Sequence, residues 1–236
     1  MEQSVLIKDA IVNEFKTHRN PAQTEAMESY MKDQFSFYGL KTPERSKLVK
    51  QWLKSYASIT YSERVETALL LFQERERECH YAALALLEQV SNQPPVSAIA
   101  VYKQLLTLKP WWDTVDMISS KLCGDYLLHY NDELTTITES WSRSEHLWVR
   151  RASLLNQLKF KDKTDEQLLY RTIHTLKHEK EFFIEKAIGW VLREYSKTAP
   201  ESVIAFIEST ELRSLSRREG LKWMKNKGLY PAPTKV

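Results

Sequence analysis

Residues 109–116 read KPWWDTVD and concentrate aromatic and acidic side chains at the start of a helical pattern. Trp112 and Asp116 are four residues apart, so in a helix they lie one above the other on the same face. An aromatic ring and a carboxylate together can stabilise a cation that forms between them. A structural interpretation is also open: Asp113 favours the helix N-terminus, one tryptophan is in the core and Asp116 is solvated.

A basic pair with a nearby tryptophan occurs in residues 148–154, WVRRASL. Adjacent helical residues point about 100° apart, so only Arg150 or Arg151 can face the centre of a groove. The repeat described below selects Arg151 as the site residue. The alternative for Arg151 is a salt bridge to a neighbouring helix.

A third candidate stretch, residues 182–195, reads FFIEKAIGWVLREY. It is a mostly apolar helix in which Gly189 precedes Trp190. A glycine costs a helix interior about 1 kcal/mol relative to alanine, so its presence indicates a close approach beside the tryptophan. Packing of a neighbouring helix explains the glycine equally well.

These stretches are related by a repeat of 35 residues. The segment from Trp148 to Leu154 aligns with the segment from Phe183 to Gly189, and residues 113–119 stand one period upstream. Asp116, Arg151 and Lys186 therefore occupy one repeat position. In stacked helical repeats such positions form a row on one face, so we expect these three side chains to line a common groove with the nearby tryptophans.

The elements that must position this row are helices throughout. Apolar residues recur at three- and four-residue spacing, prolines fall at segment boundaries, and no strand pattern is evident. We expect one HEAT-like helical repeat domain over residues 1–236, an all-α solenoid, with a short flexible tail from about 229. The predicted helices are 3–17, 22–33, 43–56, 62–73, 76–91, 97–108, 111–129, 132–141, 145–160, 165–177, 181–197, 200–209 and 214–227.

Composition excludes several classes of protein. The chain has 236 residues and only five glycines, with no glycine-rich phosphate-binding motif, so a nucleotide-binding fold is not expected. Cys79 and Cys123 stand singly in apolar patterns and are predicted to be buried free thiols. His174 and His178 lack companion ligands, so no metal is expected. Without a signal peptide or membrane-spanning run, the expected location is the cytoplasm.

The charge is distributed unevenly along the chain. Residues 1–140 contain 15 Lys and Arg against 19 Asp and Glu, a net charge of −4, whereas residues 141–236 contain 19 against 12, a net charge of +7. A basic C-terminal part suggests an anionic partner. On charge alone, a solvated basic face explains the same asymmetry.

Taken in order, these motifs closely resemble the AlkD-like DNA alkylation repair glycosylases. The similarity covers nearly the whole chain, including residues 39–45 (GLKTPER), the WWD segment, residues 187–195 (AIGWVLREY) and residues 215–219 (LSRRE). The resemblance implies a HEAT-like, all-helical enzyme, active in the bacterial cytoplasm and nucleoid, that removes alkylated bases from duplex DNA without a deep base pocket. It assigns Trp112, Asp116, Arg151 and Trp190 to catalysis. Lys41 departs from the neutral amide associated with its position, which puts its role in doubt.

The chemistry that this resemblance implies is consistent with the residue types. Purines alkylated at N7 of guanine or N3 of adenine are cationic, so the base leaves without a general acid. Asp116 would stabilise the oxocarbenium-like sugar and orient the water, Trp112 and Trp190 would contact the cationic nucleotide, and Arg151 would hold a phosphate. A monofunctional, monomeric enzyme without cofactor is expected, although Lys186 leaves lyase chemistry open.

Further residues are expected to contact DNA, chiefly its phosphates and without reading sequence. The main competing hypothesis is a HEAT-like scaffold that binds DNA or protein without catalysis, and a glycosylase with another lesion range is a second. Asp116 favours the enzyme, because an anionic side chain in a row that faces DNA weakens phosphate binding and is useful mainly if a cation forms there. The expected DNA contacts are Tyr30, Lys41, Trp148, Arg150, Lys186, Lys159, Lys161, Lys163, Arg213, Arg217, Arg218 and Lys222.

Overall fold

A computed structural model describes residues 2–230, and every regular element within this range is helical. The one strand-type pairing among these residues is an isolated bridge between Ser36 and Glu76. The prediction of an all-α fold is confirmed. Two compact units divide the chain, residues 1–92 and residues 93–236. The single domain expected from the sequence stays a prediction, and most of the expected tail, from residue 231 onward, lies outside the described residues.

The first unit consists of five helices. Helix α1 packs on α3, α4 and α5, and its residues Ile7, Ile11 and Phe15 are fully buried. A capping box begins α4: the Thr60 hydroxyl accepts from the Glu63 amide, while the Glu63 carboxylate accepts from the Thr60 amide. The helices are α1 (Glu2–Thr17), α2 (Pro21–Tyr30), α3 (Thr42–Ser55), α4 (Tyr61–Gln73) and α5 (Arg77–Glu88).

The second unit contains the remaining helices and the candidate site. They are α6 (Ala98–Leu105), α7 (Trp112–Met117), a π-helical segment (Ile118–Cys123), α8 (Gly124–His129), α9 (Leu134–Ser142), α10 (Leu147–Leu155), α11 (Glu166–Leu176), α12 (Phe182–Tyr195), α13 (Pro200–Ser209) and α14 (Ser214–Asn226). Short 3₁₀ turns occupy Asn131–Glu133 and Lys161–Lys163.

The 35-residue repeat corresponds to the starts of three helices. Helices α7, α10 and α12 begin at Trp112, Leu147 and Phe182, each 35 residues after the one before. Asp116, Arg151 and Lys186 are therefore each the fifth residue of their helix. Helix α10 packs against both α7 and α12, so the repeat brings equivalent positions of consecutive helices together.

Helix α12 is the centre of the core in the second unit. Its buried apolar residues, among them Ile184, Ile188 and Leu192, pack with residues of α10, α13 and α14. Gly189 allows the close approach of α14: a Cβ built at this glycine would stand 2.5 Å from the Cβ of Glu219 and 3.0 Å from the Ser216 carbonyl oxygen. Gly189 therefore serves helix packing, the structural alternative left open by the sequence.

Three helix predictions differ from the structure. The predicted helix 22–33 ends at Tyr30, and Lys32 and Asp33 have φ of 58° and 56°, which breaks the right-handed helix. The predicted helix 111–129 contains the π-helical segment between α7 and α8. Helix α10 ends at Leu155, five residues before its predicted end.

The two cysteines are buried, unpaired thiols, as predicted. Burial raises the pKa of both thiols, so neither is a reactive thiolate at neutral pH. Among residues 2–230 no helix has the length and apolar character needed to cross a membrane.

Candidate active site

The two tryptophans at the start of α7 lie in different surroundings. Trp111 precedes the helix in extended conformation, and its ring packs against those of Trp148 and Phe183, with centroids 5.7 and 5.2 Å away. The rings of Trp148 and Phe183 are 4.8 Å apart. Trp112, the first helical residue, instead lines a pocket. The aromatic cluster of Trp111, Trp148 and Phe183 thus fixes the helix start that presents Trp112.

Asp116 and Arg151 form a bidentate ion pair at the pocket. Arg151 Nε donates to Asp116 Oδ1 at 2.8 Å and Nη2 donates to Oδ2 at 3.0 Å. Arg151 Nη1 donates to the Phe183 carbonyl oxygen in the first turn of α12. One arginine therefore joins α7, α10 and α12 and holds both carboxylate oxygens in a defined orientation.

Burial controls the electrostatics of this pair. The side chain of Arg151 is 5% exposed and that of Asp116 is 17% exposed. Burial raises the pKa of the Asp116 carboxyl, while the hydrogen bonds and charge of Arg151 oppose that rise. Such a partly dehydrated anion interacts strongly with a positive charge that enters the pocket.

The pocket that contains this pair is open and is lined by aromatic and charged side chains, with about 780 Å³ of empty space including open solvent. Trp112 and Trp190 are half-buried in its wall, and Trp190 also packs against the core around α12. Lys186 lines the same pocket, so the expected grouping of Asp116, Arg151 and Lys186 is observed.

Charged residues of α12 and α14 form another part of the wall. Glu219 accepts a hydrogen bond of 2.8 Å from Arg193 Nη1, and the Lys186 Nζ lies 3.5 Å from its Oε1. The sequence reasoning did not select Phe182, Phe183, Arg193 or Glu219, although all four line the pocket. The 35-residue register could have identified two of them, because it aligns Phe183 with Trp148 and Phe182 with Trp112.

Several expected DNA contacts near the pocket have structural partners. Arg150 forms an ion pair with Glu179 at 2.8 Å and donates to two backbone carbonyls. Trp148 is 7% exposed, so its burial in the aromatic cluster is at odds with direct contact to DNA. Arg151 likewise pairs with Asp116 and donates to the Phe183 carbonyl oxygen. The structure therefore has the salt bridge to a neighbouring helix that was the alternative for Arg151, and this pairing is at odds with a phosphate clamp.

The basic residues expected along the rim differ in their surroundings. Arg213 is paired with Glu185 at 2.6 Å, and Arg217 with Glu208 at 2.7 Å. The remaining members are exposed: Lys159, Lys161, Lys163, Arg218 and Lys222.

Tyr30 and Lys41 belong to the first unit. Tyr30 ends α2 and is 69% exposed, and Lys41 immediately precedes α3 and is exposed. The loop before Lys41 is held by the buried carboxylate of Glu78, which accepts from the amides of residues 38–40 at 3.0–3.1 Å. Gly39 has a φ of 87°, and a Cβ there would stand 2.1 Å from the Asn20 carbonyl oxygen. This loop has a defined shape.

Residues 2–230 contain no group of three or more His, Cys, Asp or Glu side chains that could hold a metal ion. The pocket combines a partly buried carboxylate, the arginine that orients it and two half-buried indole rings. This arrangement places the Asp116 carboxylate and two indole rings around an open pocket of an all-α protein.

The chain belongs to the family of DNA alkylation repair enzymes, because residues 11–224 match the sequence profile of that family. Among solved structures, it is similar to a predicted DNA alkylation repair enzyme from Enterococcus faecalis, with 36% identity and a TM-score of 0.83. That match covers 87% of this chain and 96% of the other. A comparison with curated proteins gave no match.

Two more distant structures support the fold alone. AlkD2 from Streptococcus mutans has 20% identity and a TM-score of 0.58, over 75% of this chain and 87% of its own. The protein smu.31 from Streptococcus mutans UA159 has 17% identity and a TM-score of 0.62, over 92% of this chain and 98% of its own.

Proposed function

We propose that this family member is a monofunctional DNA glycosylase that hydrolyses the N-glycosidic bond of cationic alkylated purines, such as N7-alkylguanine and N3-alkyladenine, in duplex DNA. The observation that carries the proposal is the Asp116 carboxylate, held by two hydrogen bonds from Arg151 in an open aromatic pocket. A partly buried anion that faces a pocket has a clear chemical use if positive charge develops there.

The reaction begins when the bond between C1′ and the base nitrogen breaks. The bonding electron pair leaves with the base, which becomes neutral, and the positive charge moves to the sugar as an oxocarbenium ion. Asp116 stabilises that cation electrostatically. Water then adds to C1′, and the carboxylate orients this water and accepts its proton, which passes to solvent.

Arg151 acts through Asp116 in this scheme. Its guanidinium opposes the rise in the Asp116 pKa that burial causes, and it fixes the carboxylate oxygens in place. All three of its nitrogens have partners, and the side chain is 5% exposed. We therefore assign Arg151 as a positioning residue, in place of the phosphate clamp inferred from the sequence.

The two pocket tryptophans contact the damaged nucleotide. Indole faces attract a cationic group by about 0.5–2 kcal/mol, depending on how much water is excluded. Trp112 and Trp190 each line the pocket, which is open to solvent. An open pocket is suited to an alkylated nucleotide that is trapped against a surface, and it leaves room for bulky adducts.

Binding to the DNA backbone relies on exposed basic residues. Lys159, Lys161, Lys163, Arg218 and Lys222 are exposed and suited to phosphate contact, as are Tyr30 and Lys41 on the first unit. Lys186 lies beside the Glu219 carboxylate, with its Nζ 3.5 Å from Oε1. A lysine held in an ion pair is poorly placed to attack C1′ as a nucleophile, which supports hydrolysis over lyase chemistry.

The test is to incubate the purified chain with duplex DNA methylated at purines and to identify the released bases by chromatography. We expect free 7-methylguanine and 3-methyladenine. DNA binding without release of either base would contradict the proposal and favour the non-catalytic scaffold. Release of other altered bases alone would favour a glycosylase with a different lesion range.

A further inference from the structure

A second charged group in the pocket consists of Lys186, Arg193 and Glu219, here called the Glu219 cluster. Glu219 is 14% exposed, whereas the side chains of Lys186 and Arg193 are 39% and 29% exposed. The distances to Glu219 are 2.8 Å from Arg193 and 3.5 Å from Lys186. One largely buried carboxylate is thus the common ion-pair partner of two more exposed cations.

The packing of α14 on α12 fixes Glu219 more firmly than its partners. Gly189 leaves so little space that a Cβ in its place would be 2.5 Å from the Cβ of Glu219. The start of the Glu219 side chain is therefore pressed against α12. Lys186 and Arg193 have longer and more exposed side chains, so they are the members that can turn to another acceptor.

Glu219 carries a negative charge at neutral pH. Burial alone would raise its pKa, but the nearby charges of Lys186, Arg193 and Lys222 outweigh that effect and leave the pKa of Glu219 below its usual value. A DNA phosphodiester has the same single negative charge and also presents oxygen acceptors. Carboxylate and phosphodiester are therefore alternative partners for the same two cations.

We propose that Glu219 is an internal competitor of the DNA backbone, so that a phosphodiester must displace this carboxylate before Lys186 and Arg193 can bind it. The inference rests on the proposed function, because it names DNA as the ligand. The competition lowers the affinity of the pocket for any phosphate, and therefore for undamaged duplex DNA. An enzyme that searches DNA for damage benefits from this, because it must not bind undamaged duplex tightly.

The test compares Glu219→Gln with the matched control Glu194→Gln. Glu194 also lies on the second unit and pairs with one lysine, Lys197, at 2.6 Å, but it does not line this pocket. Both variants remove one negative charge. The Kd for an undamaged duplex is measured against salt concentration for the two variants and the wild-type chain.

We expect Glu219→Gln to bind the duplex several-fold more tightly than Glu194→Gln does. Its plot of log affinity against log salt should be steeper by up to about 0.9, the value for one additional phosphate contact. Adding Lys186→Met to Glu219→Gln should remove most of this gain, because one of the two released cations is then absent.

Equal affinity of the two glutamine variants would overturn the proposal. Weaker binding by a folded Glu219→Gln variant would also overturn it, because Glu219 would then position Lys186 and Arg193 for binding to DNA. If that variant does not fold, Glu219→Asp replaces it: the shortened carboxylate should give an affinity gain in the same direction, and no gain refutes competition. Base release by the wild-type chain tests the proposed function separately. Normal release without a Glu219 effect refutes only the competition, and tighter binding without release refutes only the glycosylase.

Discussion

Replacing Asp116 with asparagine removes the charge of the proposed catalytic carboxylate with almost no change in shape. In the wild-type protein both Asp116 oxygens accept hydrogen bonds from Arg151, at 2.8 and 3.0 Å. Asparagine has one oxygen and one amino group, and the amino group would face an N–H donor of Arg151. The substitution therefore loses one hydrogen bond and leaves the arginine charge, in a side chain only 5% exposed, without its counterion.

The loss of a buried ion-pair partner has a cost in stability. Breaking such pairs costs about 3–5 kcal/mol, and the lower end applies because the 17% exposure of Asp116 permits some hydration. At roughly 2–4 °C per kcal/mol for a protein of this size, Tm should fall by about 6–12 °C. The variant must therefore be assayed well below its melting temperature.

The effect on catalysis is separated from the effect on folding by a second variant. We expect Asp116→Asn to slow excision by at least about 10²-fold, a barrier increase of about 2.7 kcal/mol. The double variant Asp116→Asn with Arg151→Met removes the unpaired charge, so it should recover most of the lost Tm. Its excision rate should remain low, because the catalytic charge is still absent.

The assay is single-turnover release of 7-methylguanine from a duplex, with thermal melts run on the same samples. Wild-type excision by a folded Asp116→Asn variant would remove Asp116 from the mechanism. Recovery of both Tm and excision in the double variant would mean that Asp116 matters only for folding.

Other properties of the pocket give effects that can be measured separately. Burial raises the pKa of Asp116, and only the ionised carboxylate stabilises a cation. We therefore expect kcat/KM to fall as the pH decreases, with an apparent pKa above the usual aspartate value of about 3.9. An apparent pKa below that value would contradict this expectation. Trp112→Ala should slow excision with little change in Tm, whereas Trp190→Ala should reduce both, since its ring also packs on the core. Trp148→Ala, which empties a buried site, should lower the unfolding free energy by about 3–5 kcal/mol, as a chemical denaturation curve would report. Uracil and hypoxanthine should be poor substrates because no acid protonates a neutral leaving base, and their efficient release would refute the cationic-leaving-group argument.

The sequence was sufficient to predict the helical class and the row of charged residues. The 35-residue spacing follows from the geometry of stacked helices, so it identified Asp116, Arg151 and Lys186 before any contact was known. It could not show that Arg151 is committed to Asp116, because a phosphate clamp and a salt bridge require the same residue at the same position.

The features that were missed depend on distant contacts or on local strain. Glu219 enters the pocket only because α14 packs on α12 at Gly189, a contact between helices that no periodicity reveals. Helix α2 ends early at residues with positive φ, although Lys32 and Asp33 are acceptable helix residues by type. The π-helical segment after Met117 likewise has an ordinary apolar helical pattern.

Base excision that depends on Asp116 can be measured with a duplex that carries one N7-methylguanine at a defined position. Free 7-methylguanine and abasic sites are counted in the same time course, and the strand is checked for breaks before any alkaline treatment. The proposed mechanism requires one free base per abasic site, an unbroken strand and near-complete loss of release in Asp116→Asn. No base release by the wild-type chain, under conditions in which it binds the duplex, would contradict the proposed glycosylase activity.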